Sequence, residues 1–278
     1  MRLALAQQAA STDRVRNLAH ALEAMRRART EGADTIVFPE LAVERFFPQA
    51  EGDTAAHALA EPIPGPISAQ VGDTARELSL VTIFNMYEMD EQGRRFDSSP
   101  VFDADGRLLG VTRMVHIADF EGFHERGYYT PGDRGAPVYN TRAGKIGVAI
   151  CYDRHYPEYM RALGAAGADL VVIPQAGALD EWPDGLYEAE VRTAAFQNGY
   201  FVGLCNRAGA EEKLTFAGES FVVDPEGQVL VRGKRLEADL VIVDLDLSAC
   251  ARSTARRLFL RDSRPELYKE WLSRSSGS

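Results

Sequence analysis

Long apolar runs, paired cysteines and a surplus of positive charge are all missing from this chain. No stretch approaches the roughly eighteen apolar residues that a membrane-spanning helix needs, so no membrane partner is expected. The opening MRLALAQQAA has too short an apolar run before STDR to read as a secretory signal, which points to a cytoplasmic protein. Cys151, Cys205 and Cys250 form a sparse, odd set without CxxC spacing, against both a disulfide framework and a thiolate metal site. His20, His57, His116, His124 and His155 never fall in an HxxxH or HExxH arrangement, so a zinc hydrolase has no motif to stand on. The formal net charge of −10 and a pI near 5.1 oppose binding to nucleic acid or to an anionic membrane, because phosphates demand a basic surface. A small-molecule or protein partner is left.

What is present is a long run of alternating elements. The 278 residues suffice for one large domain with a sizeable core, and no linker, repeat or low-complexity tract divides them. RLALAQQ reads as a buried strand, VRNLAHALEAMRRARTEG as an amphipathic helix ending at Gly32, and DTIVFPEL as a second strand. ISAQVGDTARELS is helical, LVTIFNMYEMD a strand, and EQGRRF a turn into SSPVFDADGRLLGVTRMVHI. A second alternating series follows: the strand of AGKIGVAICYD, the helix PEYMRALGAAGA, the strand DLVVIPQAG, the helix YEAEVRTAAFQNG and the strand YFVGLCNRAG. ESFVVDPEGQVLVRG and DLVIVDLDL are expected to close the fold as a hairpin-like pair. Two helix-bearing sheets with hairpins between them predict a four-layer α-β-β-α sandwich over residues 1–271 as a single domain, with the tail after Trp271, LSRSSGS, disordered or appended.

In open α/β sheets, reactive groups collect where strands end at their carboxyl side. Glu40, Cys151 and Gln175 occupy such ends. Cys151 follows the strand IGVAI and precedes a helix expected near Pro157, so nearby backbone N–H groups can stabilise a thiolate or an oxyanion. A cysteine after an apolar run is also commonly a buried core thiol, and Cys205 after YFVGL is assigned to that role. A nucleophilic thiol needs a base, and no histidine is paired with a carboxylate in the sequence. Glu40 in VFPEL is the candidate, since a carboxylate in an apolar setting has a raised pKa and can shuttle protons near neutrality.

Taken together, IVFPEL, FDSSPVFDADGRLLG, HERGYYTPGD, KIGVAICYDRHYPE, GADLVVIPQA, YEAEVRTAAFQNGYFV, CNRAG, GESFVVDPEG and SRPELY resemble, in order, the nitrilase superfamily of carbon–nitrogen hydrolases. The resemblance implies the α-β-β-α sandwich, a homodimer or larger homo-oligomer, no cofactor, and a Glu–Lys–Cys triad with a second supporting glutamate. Glu40 then matches the general base, Cys151 the nucleophile, Glu125 the supporting carboxylate, and the backbone of Tyr152 the oxyanion donor. The lysine does not carry over. That segment of the family usually reads arginine, lysine, a variable residue and then His-Ile or His-Leu, whereas this chain reads TRMVHI and places Met114 at the lysine. A methionine supplies neither charge nor donor, so Glu40 and Glu125 are expected to raise each other's pKa. Arg113, Arg126, Arg154 and His116 are the candidates to bring charge back from neighbouring positions.

CYDRHYPE resembles the matching segment of N-carbamoyl amino acid amidohydrolases, which predicts that Arg154 pairs with a substrate carboxylate. An internal ion pair of Arg154 with Asp153 or Glu158 accounts for the same residue. Gln175, Ala176 and Trp182 are candidates to line the pocket. The function this implies is thiol-dependent hydrolysis of a small linear amide or ureido acid through a Cys151 thioester. The alternatives are a binding or scaffold protein whose catalysis lapsed with Met114, and a nitrilase acting on nitriles.

Overall fold

The computed structural model describes residues 1–52 and 54–273. The first half contains β1 (Arg2–Gln7), α1 (Arg14–Thr30), β2 (Thr35–Val37), α2 (Pro66–Leu78), β3 (Val81–Ile83), β4 (Met86–Met89), β5 (Arg95–Phe102), β6 (Leu108–Arg113) and the short pair β7 (Asp119–Phe120) and β8 (Phe123–His124). The second half contains β9 (Val138–Thr141), β10 (Gly144–Val148), α3 (Pro157–Ala165), β11 (Leu170–Gln175), α4 (Leu186–Asn198), β12 (Phe201–Asn206), β13 (Ala208–Ala210), β14 (Thr215–Ala217), β15 (Phe221–Val223), β16 (Val229–Arg232), β17 (Asp239–Asp244), α5 (Ser248–Arg252) and α6 (Pro265–Ser273).

The two main sheets have the strand orders β17-β1-β2-β3-β5-β4, with β6 beside β5, and β16-β15-β12-β11-β10-β9. Parallel pairing of β1, β2 and β3 in one, and of β10, β11 and β12 in the other, follows from helical crossovers between them. Side-chain alternation builds the layers. In β1, Leu3 and Leu5 face the second sheet, while Ala4 and Ala6 face a helical layer that includes Ala21 and Met25 of α1 and Val71 and Ala75 of α2. In β11, Leu170 and Val172 face inward, and Val171 and Ile173 pack with Leu163 of α3 and Val191 and Ala195 of α4. The four-layer α-β-β-α sandwich is therefore present. The Asp13 carboxylate starts α1 by accepting from Arg16 N at 3.0 Å, a cap not singled out in the sequence, and Gly32 at φ +81° turns the chain after it, as expected.

Three details depart from expectation. LVTIFNMYEMD is two strands: β3 and β4 pair one after the other along the same edge of β5, with β6 on its other edge, and the chain breaks at Phe84–Asn85. DLVIVDLDL does not form a hairpin with the preceding strand. β15 and β16 are the hairpin, and β17 crosses to the other sheet and pairs antiparallel with β1. The expected disordered tail begins two residues inside α6, which continues through Leu272 and Ser273, and residues 274–278 lie outside the described residues. No helix among the described residues is long and apolar enough to cross a membrane.

Candidate active site

The carboxyl ends of β2, β10 and β11 converge. The chain leaves β2 at Val37, and Glu40 follows in a loop where Phe38 N donates to Ile83 O and Leu41 N to Asn85 Oδ1 at 2.6 Å. Cys151 follows β10 and opens a single 3-10 turn, Cys151–His155, rather than standing directly before α3 as the sequence suggests. Its φ of +41° is unusual for a residue with a Cβ, a strain that marks a side chain held for use. Glu125 sits in the one-turn helix Glu125–Gly127 after β8.

These three side chains meet. A carboxylate oxygen of Glu40, one of Glu125 and the Cys151 sulfur all lie within 4.8 Å of one another, and all three residues are buried. The Glu40 carboxyl therefore lies within 4.8 Å of the Cys151 sulfur, close enough for each to act on the other's protonation. Ala118 N donates to Glu125 Oε2 at 3.1 Å, while Glu125 Oε1 and both Glu40 oxygens have no N–H or O–H partner among the described residues. Burial, and then the Glu125 charge, push the Glu40 pKa up to about 8, against smaller lowering contributions from Cys151, Asp97 and Arg207. Burial likewise raises Glu125 and the Cys151 thiol well above their ordinary values, and Arg154 is the cation that opposes the rise at the thiol. A buried acid beside a thiol, and able to change protonation near neutrality, is suited to act as base and proton carrier for that thiol. The same spacing suits three ligands of one divalent cation, which would occupy the sulfur and remove the nucleophile.

Met114 is completely buried in the core cluster that holds Cys151 and Tyr129. Its N–H donates to Asp97 O at 2.9 Å, and its carbonyl accepts from Gly132 N at 2.7 Å. Three of the four substitutes expected to supply charge are engaged elsewhere. Arg113 forms a buried pair with Glu88, reaches Asp133 at 2.9 Å and stacks over Phe96. Arg126 is exposed near Asp119. His116 Nδ1 lies 2.7 Å from Asp153 Oδ1, and its ring stacks on Tyr156.

Arg154 remains, and it lies beside the nucleophile. Its Nη1 donates to Cys151 O at 3.0 Å and to Gln175 Oε1 at 2.9 Å, and Gln175 Nε2 donates to Cys151 Sγ at 3.2 Å. The guanidinium lies over the Tyr187 ring, with Nε 3.5 Å from Glu190. The internal ion pair is thus to Glu190 of α4, not to Asp153 or Glu158. Arg154 Nη2 is buried without a partner among the described residues. Ala176 is fully buried, and Trp182 packs against Phe120 and His155. The Tyr152 ring is half-buried near His155 and Tyr156.

Sequence reasoning missed Asp97, Tyr129, Glu181 and Arg207. Asp97 is buried near enough to Glu40 for the two to raise and lower each other's pKa, and Tyr129 presents an unpartnered buried hydroxyl to the same acids. Glu181 accepts from Ala178 N, Trp182 Nε1 and the Tyr187 hydroxyl. Arg207 is buried and donates to the carbonyls of Glu40 and Leu41, both at 2.7 Å. An aspartate inside a strand and an arginine closing one were the available signals.

The family model described as carbon–nitrogen hydrolase matches residues 2–255. An N-carbamoylputrescine amidase of Solanum lycopersicum is 33% identical, with 96% of this chain and 93% of that protein covered. A crystal structure of a carbon–nitrogen hydrolase from Helicobacter pylori G27 superposes with a TM-score of 0.90 at 29% identity, covering 98% of both chains. A variant of the amidase from Nesterenkonia sp. AN1, solved with the acetamide moiety of fluoroacetamide added covalently at its active-site cysteine, matches with a TM-score of 0.82 at 27% identity, covering 98% of this chain and 96% of that one.

Proposed function

The chain belongs to the carbon–nitrogen hydrolase family, and on that premise we propose that it hydrolyses the C–N bond of a small linear amide or N-carbamoyl (ureido) acid through a Cys151 thioester. The observation that carries this reading is the buried cluster of Glu40, Glu125 and the Cys151 sulfur, all within 4.8 Å of one another. Glu40, ionised, takes the thiol proton as sulfur attacks the carbonyl carbon. The same proton passes to the leaving nitrogen, the C–N bond breaks, and ammonia or an amine departs. Glu40 then takes a proton from water as its oxygen attacks the thioester, and returns it to sulfur as the acid leaves. The backbone N–H of Tyr152 is assigned to the developing oxyanion.

On the substrate side, Arg154 Nη2 is the buried donor left over for a carboxylate, and Gln175, Ala176 and Trp182 are assigned to line the substrate's place. We assign residues 1–271 to one domain, acting in the cytoplasm as a homodimer or larger homo-oligomer. No cofactor enters this mechanism. Mass spectrometry after incubation with simple amides and N-carbamoyl amino acids is the test: an acyl adduct on Cys151 with released acid is expected. Binding of these compounds with neither adduct nor product would instead favour a protein whose catalysis lapsed with Met114.

A further inference from the structure

Asp97 lies on β5, where Met114 N donates to its carbonyl, so it is the backbone neighbour of the residue at the lysine position. Its side chain is 1% exposed. Asn85 fixes its orientation. Because Asn85 Oδ1 accepts from Leu41 N, its Nδ2 must point the other way, and it donates to Asp97 Oδ1 at 2.5 Å and to Ser99 Oγ at 3.1 Å. Asp97 Oδ2 is left with no N–H or O–H donor among the described residues, as are both oxygens of Glu40, and Asn85, bonded to Leu41 N and to Asp97, sets Asp97 beside the Glu40–Leu41 segment, where the two carboxyls act on each other's protonation. Two neighbouring buried carboxylates with three oxygens lacking donors repel each other and are undersolvated, and one shared proton eases both penalties.

We propose that Asp97 is a positioning residue that carries the proton standing in for the absent ammonium, with Asp97 Oδ2–H donating to Glu40, favouring its ionised form and keeping it beside the Cys151 thiol. The groups facing this pair are Glu125, Asp153, Cys151 and the Tyr129 hydroxyl, with Arg207 bonded to the Glu40 backbone. Among them only Arg207 is a cation, and its bonded N–H groups go to the carbonyls of Glu40, Leu41 and Glu44 and to the Glu211 carboxylate. The role rests on the amidase reading given above, in which Glu40 is the base.

The test compares Asp97→Ala with Asp97→Asn in two pH profiles: kcat/KM on an amide, and the rate of Cys151 alkylation by iodoacetamide, which needs no turnover. The asparagine offers Glu40 an N–H in place of the O–H. It is expected to keep the acidic limb within about half a pH unit of the parent, and kcat within about tenfold. The alanine removes the donor, so the limb should move about one unit upward and kcat should fall about a hundredfold with little change in KM. If Asp97 is instead ionised in the parent, both variants delete a negative charge and both limbs move to lower pH, which overturns the proposal. Equal losses of rate with unmoved limbs would also overturn it, leaving a structural role only. If the parent turns over no amide, the amidase reading falls, and the alkylation limbs still decide what Asp97 does. Should the alanine variant fail to fold, the asparagine limb alone separates a donor from a charge.

Discussion

The two halves of the site handle buried charge differently. On the side of the second sheet, Cys151 is backed by an amide and a guanidinium: Gln175 touches the sulfur, and Arg154 ties Gln175 to the Cys151 carbonyl. On the side of the first sheet, Glu40, Asp97 and Glu125 are all buried, and no cationic side chain contacts their carboxyls among the described residues. Arg207 acts on Glu40 but donates to main-chain carbonyls and to the Glu211 carboxylate. The thiol half is therefore preorganised by a fixed positive charge, whereas the acid half reaches acceptable electrostatics by holding protons. Met114 falls in the acid half. The substitution thus acts on the group that must change protonation during turnover and leaves the nucleophile's support intact.

Removing the nucleophile erases the thiol half outright. Cys151→Ala is expected to lower kcat by about 10⁴-fold or more, with the fold retained, as measured by turnover and circular dichroism. Arg154→Lys is a subtler break of the same half. A lysine cannot bridge Cys151 O and Gln175 Oε1 while stacking on Tyr187, so Gln175 loses its anchor beside the sulfur. A fall of about ten- to a hundredfold in kcat/KM is expected, and an unchanged value would show that the fork is dispensable.

Met114→Lys gives the acid half the cation that the thiol half already has. With the Glu40 pKa at about 8, only about a tenth of Glu40 is ionised at pH 7. An added ammonium favours the charged form, so the acidic limb of the rate profile should move to lower pH, with turnover at pH 7 rising about tenfold from ionisation alone. A slower variant with an unmoved limb would mean that the buried acids have been rebuilt around a neutral neighbour and no longer accept the cation.

How much of this was legible beforehand differs between the halves. The order of strands and helices gave the layered sandwich, because apolar alternation and capping act locally. Glu40 and Cys151 were visible as polar residues ending apolar runs, and Glu125 through its motif. Asp97 was not, because its burial depends on Asn85, which sits in a chain break that the apolar pattern of LVTIFNMYEMD conceals. Arg154 was visible as a charge, but its partner Glu190 lies on α4, and no local spacing brings the two together. The tertiary contacts that decide which buried charges are paired are those that a single sequence hides most completely.

The smallest expected effect is on stability, and it separates the halves without any substrate. Glu40 has an unfolded-state pKa near 4.5 and a folded value of about 8. Between these values the folded protein holds a proton that the unfolded chain has released, so the group's contribution is fully present below about pH 4.5 and is lost as pH rises through about 8. The slope is at most about 1.4 kcal/mol per pH unit for one group, and raised values at Glu125 and Asp97 act in the same direction. Glu40→Gln removes one such group while keeping its shape. Its melting temperature relative to the parent should therefore rise steadily from pH 5 to pH 8, by about 2–4 °C for each kcal/mol. A substitution in the thiol half, such as Gln175→Ala, deletes no titrating group and should shift the melting temperature by the same amount at every pH. If Glu40→Gln behaves in that pH-independent way instead, Glu40 is already ionised in the folded protein, and the acid half holds its charge by some means other than bound protons.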